Sequence, residues 1–510
     1  MKRMNNNMGA SKEKKVRAEL RSEGPDKKTA AAAEKAKSDK KFRRTAIITV
    51  VVLVLLTAFA IVYNSNLFYT GTTAVEVDGT DYNAAEVSCF KRVTFENIYN
   101  NLASQYGSYV SLFLDTSKPL DEQQYSEDQT WADYLSGATM DYMKQITALY
   151  NEALRAGRAL TDDELLDIDN QLALLEVTAT SNNYASADQL LALNYGKGVT
   201  TKVYRSVLER VALANAFAND TMDSYEYTDA ELKAYYAEHA DENDLFEYAV
   251  YFAANSDSAY DELDDEAKAE ATHKAAEDIV AAAEDAESFD AAVKELDADA
   301  SSARRITQGS GLPSYYAEFL RSADRKAGDT TVIDIDTGSY AVLYLSRDTG
   351  DYPHVSMRHI LVNAEADEDG VVTDEAKDAA HEKILGLFAE WQADPTEDKF
   401  AELANANSDD GGSNTNGGLY ENIYKGQMVE EIDSFLFDPA TEVSDTKIVY
   451  NDGAYTGWHL VYFAGRDEQN YCDSLAESQL TSEAFNDYLD SLVDAVSFSE
   501  KFSLRFVDFS

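Results

Sequence analysis

A chain of 510 residues with 45% apolar content is too long for one ordinary hydrophobic core, so several domains are expected. The formal net charge is −49 and unevenly placed: residues 1–44 hold 15 Lys/Arg against 6 Asp/Glu, a net of +9, which leaves −58 on everything after them. A body that acidic repels nucleic acid, which sets nucleic-acid binding aside despite the basic head.

Residues 1–44 are polar, rich in Lys, Ala and Glu and short of aromatics. They are expected to be a disordered basic tail with transient helix around Ala30–Lys37. Thr45 to Tyr63 is an uncharged apolar run close to the ~20 residues that span a bilayer. Lys40, Lys41, Arg43 and Arg44 abut its N-terminal end, and such residues stay in the cytoplasm. Residues 45–64 are therefore expected to be a single transmembrane helix, with the tail cytoplasmic and the bulk of the chain extracytoplasmic. A cleaved signal peptide is the rival, because Ala58-Phe59-Ala60 has the small-x-small form; a charged lead of 44 residues is long for it. Only Cys89 and Cys472 are present, and nothing in their spacing demands a disulfide or a zinc site.

Residues 70–245 are expected to form a helical domain. Thr73–Tyr82 alternates and contains Asp78-Gly79, a hairpin-turn dipeptide. Asn83 with Glu86 three positions on starts a helix, as does Thr228 with Glu231. Leu165, Ile168, Leu172 and Leu175 fall at helical spacing.

Residues 246–350 and 352–468 read as two copies of one domain. Leu312–Leu320 lines up with Met428–Leu436, and Thr337–Val342 with Thr456–Val461. Phe246–Phe252 occupies the place of the strand around His359. The first copy has Tyr340 where the second has His459, has Ala249 or its neighbour where the second has His359, and lacks the Ser408-Asp409-Asp410 and Gly417-Gly418 segment. It keeps the apolar frame and loses the polar residues.

The second copy has Arg358-His359-Ile360-Leu361, then Phe400, Leu403, Ser408-Asp409-Asp410, Gly417-Gly418, Gly426-Gln427-Met428 and finally Gly457-Trp458-His459. This ordered set resembles the parvulin (PpiC/rotamase) family of peptidyl-prolyl cis-trans isomerases over roughly 354–467. A strand pair, a helical domain and a Thr228–Tyr236 helix ahead of it resemble the PrsA- and SurA-type extracytoplasmic foldases. The resemblance implies a multidomain α+β chain: an anchor helix, a helical chaperone-like domain, two tandem parvulin-like domains of which the first is degenerate, and a C-terminal helix.

The resemblance also implies site residues. His359 and His459 would face one another on adjacent strands, with Asp410 tuning the pair and the Thr456 hydroxyl supporting it. Met428, Ile432, Phe437 and Tyr420 would form the proline pocket; the family more often has Phe at the place of Ile432 and Leu at that of Tyr420. No cofactor or metal is implied. Ser408–Gly412 and Glu365–Gly370 lack the EF-hand ligand spacing and read as turns.

In residues 469–510, Thr481 is placed to cap a helix whose stripe Phe485, Tyr488, Leu489 and Leu492 must bury on another domain, the N-terminal one being the natural partner. The implied function is a membrane-anchored prolyl isomerase and chaperone for unfolded, proline-containing secreted polypeptides. A holdase that uses the parvulin fold only to bind peptides is the alternative, and a membrane assembly scaffold a third. Client identity and oligomeric state are not readable.

Overall fold

The computed structural model describes residues 14, 15, 17, 27–64, 66–260, 262–298, 300, 304–367, 370–452 and 456–510; side chains at 27–33, 36, 39 and 59–64 lie outside the description. Helix α1 spans Lys27–Asn64. The tail was expected to be disordered, yet its part from Lys27 on is helical, because Ala, Lys and Glu are strong helix formers. The expected span lies in the same helix. No helix among the described residues is long and apolar enough to cross a membrane; the described side chains of the apolar run stop at Ala58, short of the ~20 residues required.

The chain divides into two compact units, residues 1–224 with 485–510, and residues 225–484. In the first unit, β1 (Thr73–Val77) and β2 (Thr80–Asn83) form a hairpin through Asp78 and Gly79, both at positive φ. Helix α2 (Ala84–Tyr106) opens on a capping box, with the Asn83 side chain accepting the Glu86 amide and Glu86 accepting the Asn83 amide. Helices α3 (Trp131–Ala156), α4 (Asp162–Ser181), α5 (Ala187–Asn194) and α6 (Thr201–Asp223) complete the helical set. Their core includes Tyr82, Phe90 and Met143, all fully buried. Phe485, Leu489, Leu492 and Phe506 from the chain's C-terminal part pack against it, and Phe498–Glu500 adds a strand beside β1.

The second unit begins with α7 (Asp229–Glu238), opened by the Thr228–Glu231 capping box. Two α+β copies follow. The first runs β3 (Leu245–Ala254), α8 (Asp265–Ala282), α9 (Ala286–Leu296), β4 (Arg304–Gln308), α10 (Ser314–Arg321), β5 (Thr330–Ile335) and β6 (Gly338–Asp348). The second runs β7 (Pro353–Asn363), α11 (Asp374–Ala393), α12 (Glu397–Asn407), β8 (Leu419–Ile423), α13 (Glu430–Leu436), β9 (Thr446–Asp452) and β10 (Thr456–Asn470). Their strand orders are β4-β3-β6-β5 and β8-β7-β10-β9, one antiparallel topology used twice.

Period-2 alternation splits each sheet into two faces. In the second copy Ile360, Val362, Leu460 and Tyr462 lie under α11 and α12 with Ile384 and Phe400. Val355, Met357, Val461 and Phe463 point the other way and pack with α13. Each fully buried residue of this size, Phe400 and Phe463 among them, contributes about 1.5–3 kcal/mol of burial free energy.

Helix α14 spans Tyr471–Asp494, so Thr481 lies inside it and does not cap it. The cap is tertiary. The amides of Tyr471 and Cys472, which open the helix, donate to the carbonyls of Tyr352 and Gly350 at 2.8 and 3.0 Å. Cys89 and Cys472 are both buried, free thiols.

Candidate functional site

His359 and His459 stand on the neighbouring central strands β7 and β10, where His359 pairs with Val461 and His459 with Leu361. Both side chains therefore lie on the α13 face of the sheet, with Met357, Val461 and Phe463. Their Nδ1 atoms are 3.3 Å apart and the rings are nearly parallel, 11° between planes.

The loop after α12 brings in the carboxylate. It runs alongside β7 as if it were a further strand: the Leu361 amide donates to Ser408 Oγ at 3.1 Å, the Asp409 amide to the Leu361 carbonyl at 2.8 Å, and the Asn363 amide to Asp409 Oδ2 at 2.9 Å. That places Asp410 Oδ2 2.9 Å from His359 Nε2. Gly418 closes the loop, its carbonyl accepting the His359 amide at 2.9 Å. A Cβ on Gly418 would lie 2.2 Å from the His359 carbonyl oxygen, so the close approach needs glycine.

Asp410 collects four donors. The Tyr420 hydroxyl donates at 3.0 Å, the Gly412 amide at 3.1 Å, and the Ser413 hydroxyl and His359 Nε2–H complete the set. Burial alone would raise this carboxyl, but the hydrogen bonds from Ser413, His359, Gly412 and Tyr420 outweigh it and hold it well below the usual carboxylate range. Burial pushes both imidazoles the other way. His359 is lowered despite Asp410, and His459 is lowered to about 4 by burial and by the neighbouring His359. At neutral pH the site thus holds two neutral imidazoles and one carboxylate.

That charge state selects the tautomers. His359 donates from Nε2 to Asp410, so its Nδ1 accepts and His459 Nδ1 donates. His459 Nε2 is then an acceptor, buried and without a hydrogen-bond partner among the described residues. The chain Asp410–His359–His459 ends there, in a position to meet a polar group brought from outside.

Beside it lies an apolar shelf. Ile432 is buried, and Met428, Tyr420 and Phe437 are partly buried, in one cluster with Val449, Val461 and Phe463. Tyr420 joins shelf and network: its ring stands edge-on to His359, 5.3 Å between centroids, and its hydroxyl is spent on Asp410. The residues His359, Asp410, His459, Met428, Ile432, Phe437 and Tyr420 are thus gathered on one sheet face. Thr456 is not joined to them. It makes no hydrogen bond to either ring, and it is three positions from His459 along an uninterrupted stretch of β10, which puts the two side chains on opposite faces. Sequence reasoning missed Ser413; its place three residues after Asp410, in a Gly- and Asn-rich turn, was the available signal.

No group of three or more His, Cys, Asp or Glu among the described residues is arranged to hold a metal ion. An X-Pro bond does not require one. Rotation about it faces a barrier of ~18–20 kcal/mol set by amide resonance, and a site that prefers the twisted amide lowers it without forming or breaking a covalent bond. A shelf for an apolar ring beside a polar chain has the parts for such a preference.

The first copy has the same frame without this chemistry. Tyr340 pairs with Ile333 where His459 pairs with Val449, and Val250 pairs with Val342 where His359 pairs with Val461. Val250, the neighbour of Ala249, is therefore the counterpart of His359. Tyr340 sits among Phe252, Tyr315 and Tyr316 in an aromatic group.

A family model described as "Rotamase: PPIC-type PPIASE domain" matches residues 359–465. Chaperone SurA of Alkalilimnicola ehrlichii is 27% identical over 177 residues, 34% of this chain and 38% of that protein, so the match spans well under half of the relative's length. Among solved structures, the foldase PrsA of Streptococcus pneumoniae is 12% identical, with 69% of this chain and 79% of that one covered and a TM-score of 0.25. PrsA of Bacillus subtilis is 12% identical over 72% and 86% of the two chains, with a TM-score of 0.23. The His359–Asp410–His459 network lies within the matched stretch, so residues 359–465 match the parvulin-type, PpiC family of peptidyl-prolyl isomerase domains, in a chain with similarity to a SurA chaperone.

Proposed function

We propose that this chain is a membrane-anchored extracytoplasmic foldase whose second α+β domain isomerises X-Pro bonds in unfolded secreted polypeptides. The observation that carries the reading is the adjacency of the hydrogen-bonded chain Asp410–His359–His459 to the Met428, Ile432, Phe437 and Tyr420 shelf. The proline ring rests on the shelf, and the buried polar chain that ends at His459 lies beside the amide as it twists. The test is a protease-coupled assay with a proline-containing peptide on the full chain. Catalysis in the wild type that falls about tenfold in a folded His459→Ala protein supports the reading; equal rates in the two would remove it.

The apolar run at 45–63 and its basic flank support the anchor and the extracytoplasmic placement. Protease added to intact cells should remove the body and leave a small tail. A soluble mature protein starting near Asn64 would refute the anchor.

The holdase reading has an observation of its own. On α4, Leu166, Leu174 and Val177 are more than half exposed on one side of the helix, opposite buried Ile168. Such a stripe suits transient contact with apolar segments of unfolded clients. We assign holding to the helical domain and isomerisation to the second α+β domain. Suppression of client aggregation that survives His459→Ala but falls with Leu174→Lys would separate the two activities.

A further inference from the structure

The loop that carries Met428 is held from outside its own domain. Gly426 has φ +85°, and a Cβ on it would come within 2.8 Å of the Ile306 side chain, so Ile306 of β4 rests directly on the loop backbone. Lys425 Nζ pairs with Asp348, at the end of β6, at 2.7 Å, and its amide donates to the Tyr352 hydroxyl at 3.2 Å. On the other side of Met428, Arg304 of β4 pairs with Glu430 in the first turn of α13 while its Nε donates to Glu247 of β3 at 2.7 Å. Within the domain, Asp433 accepts the Gly426 amide at 3.0 Å.

The external contacts come from the copy that lacks the histidine pair and from the linker after it. They bracket Met428, and they are points rather than a packed face. Between them lies a cavity of about 220 Å³ lined by Arg304, Arg305, Ile306, Met428, Asp433 and Ser434. Residues 424–429 have no strand or helix hydrogen bonding of their own. Loss of a contact point would let them move into that space.

We propose that the first α+β copy positions the proline shelf of the second, with Ile306 and Arg304 as positioning residues that hold loop 424–429 and thereby fix Met428. The inference rests on the rotamase reading of the shelf. It gives the degenerate copy a task that needs its frame and no histidine. A shelf binds substrate only in those molecules whose loop is in place, so apparent affinity falls with that fraction. The Asp410–His359–His459 network is built from β7, β10 and residues 408–413, away from the loop. Releasing the loop should therefore raise KM and leave kcat alone.

The experiment uses the full chain with Ile306→Asp, Arg304→Glu and, as the conservative control, Ile306→Val. Peptide isomerisation, binding of a non-cleavable proline peptide by fluorescence titration, and exchange of the Gly426 and Met428 amides are measured together. Ile306 is on an exposed edge strand, so Ile306→Asp should leave the melting temperature of the chain near that of the wild type. The expected result is an about fivefold rise in KM, as when one molecule in about five keeps the loop in place, with kcat retained. The two loop amides should exchange faster, and Ile306→Val should behave as wild type. Unchanged amide exchange, faster exchange with unchanged KM, or a joint fall of kcat and melting temperature would each overturn the proposal. If the wild type itself shows no isomerisation, the rotamase reading falls. The positioning role is then decided by exchange and peptide affinity alone, and an affinity equal in all four proteins would overturn it.

Discussion

The two α+β copies share element order, strand order and ladder register, so Leu320 and Leu436 are both fully buried at equivalent places and Tyr340 lies where His459 does. They part company in the connection before the edge strand. In the second copy residues 408–418 form a loop stitched to β7 that delivers Asp410; in the first the sequence between Leu296 and Arg304 is shorter and has no Ser-Asp-Asp or Gly-Gly in it. Alternating apolar residues are enough to build the frame. A polar pocket in a low-dielectric setting needs every donor and acceptor matched, and once the matching partners go, an aromatic filling such as Tyr340 with Tyr315 and Tyr316 costs less than an unpaired imidazole.

The largest effect that would break this contrast is Asp410→Ala. It strips the acceptor from Ser413, Tyr420 and His359 at once, and leaving buried donors unmet should cost about 3 kcal/mol of stability along with most isomerase activity. Denaturant unfolding of the full chain, followed at the second unit's transition, measures it. A loss below ~1 kcal/mol would mean that the network is not matched as described.

Acid should act on the second copy through its histidines. The folded pKa of His459 is lowered to about 4, below its ordinary 6.5, so the unfolded chain binds more protons between those values. Stability from this group is fully present above about pH 6.5 and is lost as pH falls toward 4, by about 2–3 kcal/mol at most. The isomerase rate should stay flat from pH 8 to about 5.5 and drop below that as the imidazole charges. A rate that instead falls through pH 6.5 would show that the pair titrates as exposed histidines do.

His459→Ala should lower kcat/KM roughly tenfold, about 1.4 kcal/mol of barrier, whereas Tyr340→Ala should leave the rate unchanged. The two substitutions stand at equivalent positions, so the pair of rate measurements separates frame from chemistry. A rate change in Tyr340→Ala would mean that the first copy takes part in catalysis directly.

The smallest effect concerns Asp433. Burial raises its carboxyl to about 6 against hydrogen bonds from the Gly426 and Met428 amides and the charges of Lys425 and Arg304. A raised carboxyl disfavours the native state as it ionises, so Asp433→Asn, which keeps an oxygen for the Gly426 amide, should stabilise the chain at pH 8 by ~1 kcal/mol and by about half that at pH 5. Thermal melting at the two pH values is the check.

Local signals in the sequence were sufficient wherever the physics is local. The capping boxes at Asn83–Glu86 and Thr228–Glu231 and the Asp78-Gly79 turn are read within four residues, and each is present. The tandem repeat was legible because both copies must bury the same alternating face. The order of the histidine pair, Asp410, Met428, Ile432, Phe437 and Tyr420 along the chain, not any local rule, singled out residues that the structure gathers on one sheet face. What the tertiary structure alone decided are the matters that depend on partners distant in sequence. The start of α14 is capped by carbonyls of residues 350 and 352, more than a hundred positions away, so the nearby signal at Thr481 lost. Ladder register made Val250 the counterpart of His359 and turned Thr456 away from it. Tyr420 was legible as a shelf residue by position; that its hydroxyl also serves Asp410 follows from where β8 meets the 408–413 loop. And the hold of Ile306 on Gly426 joins two domains whose sequences carry no mark of it, because a contact between surfaces leaves no periodicity in either strand.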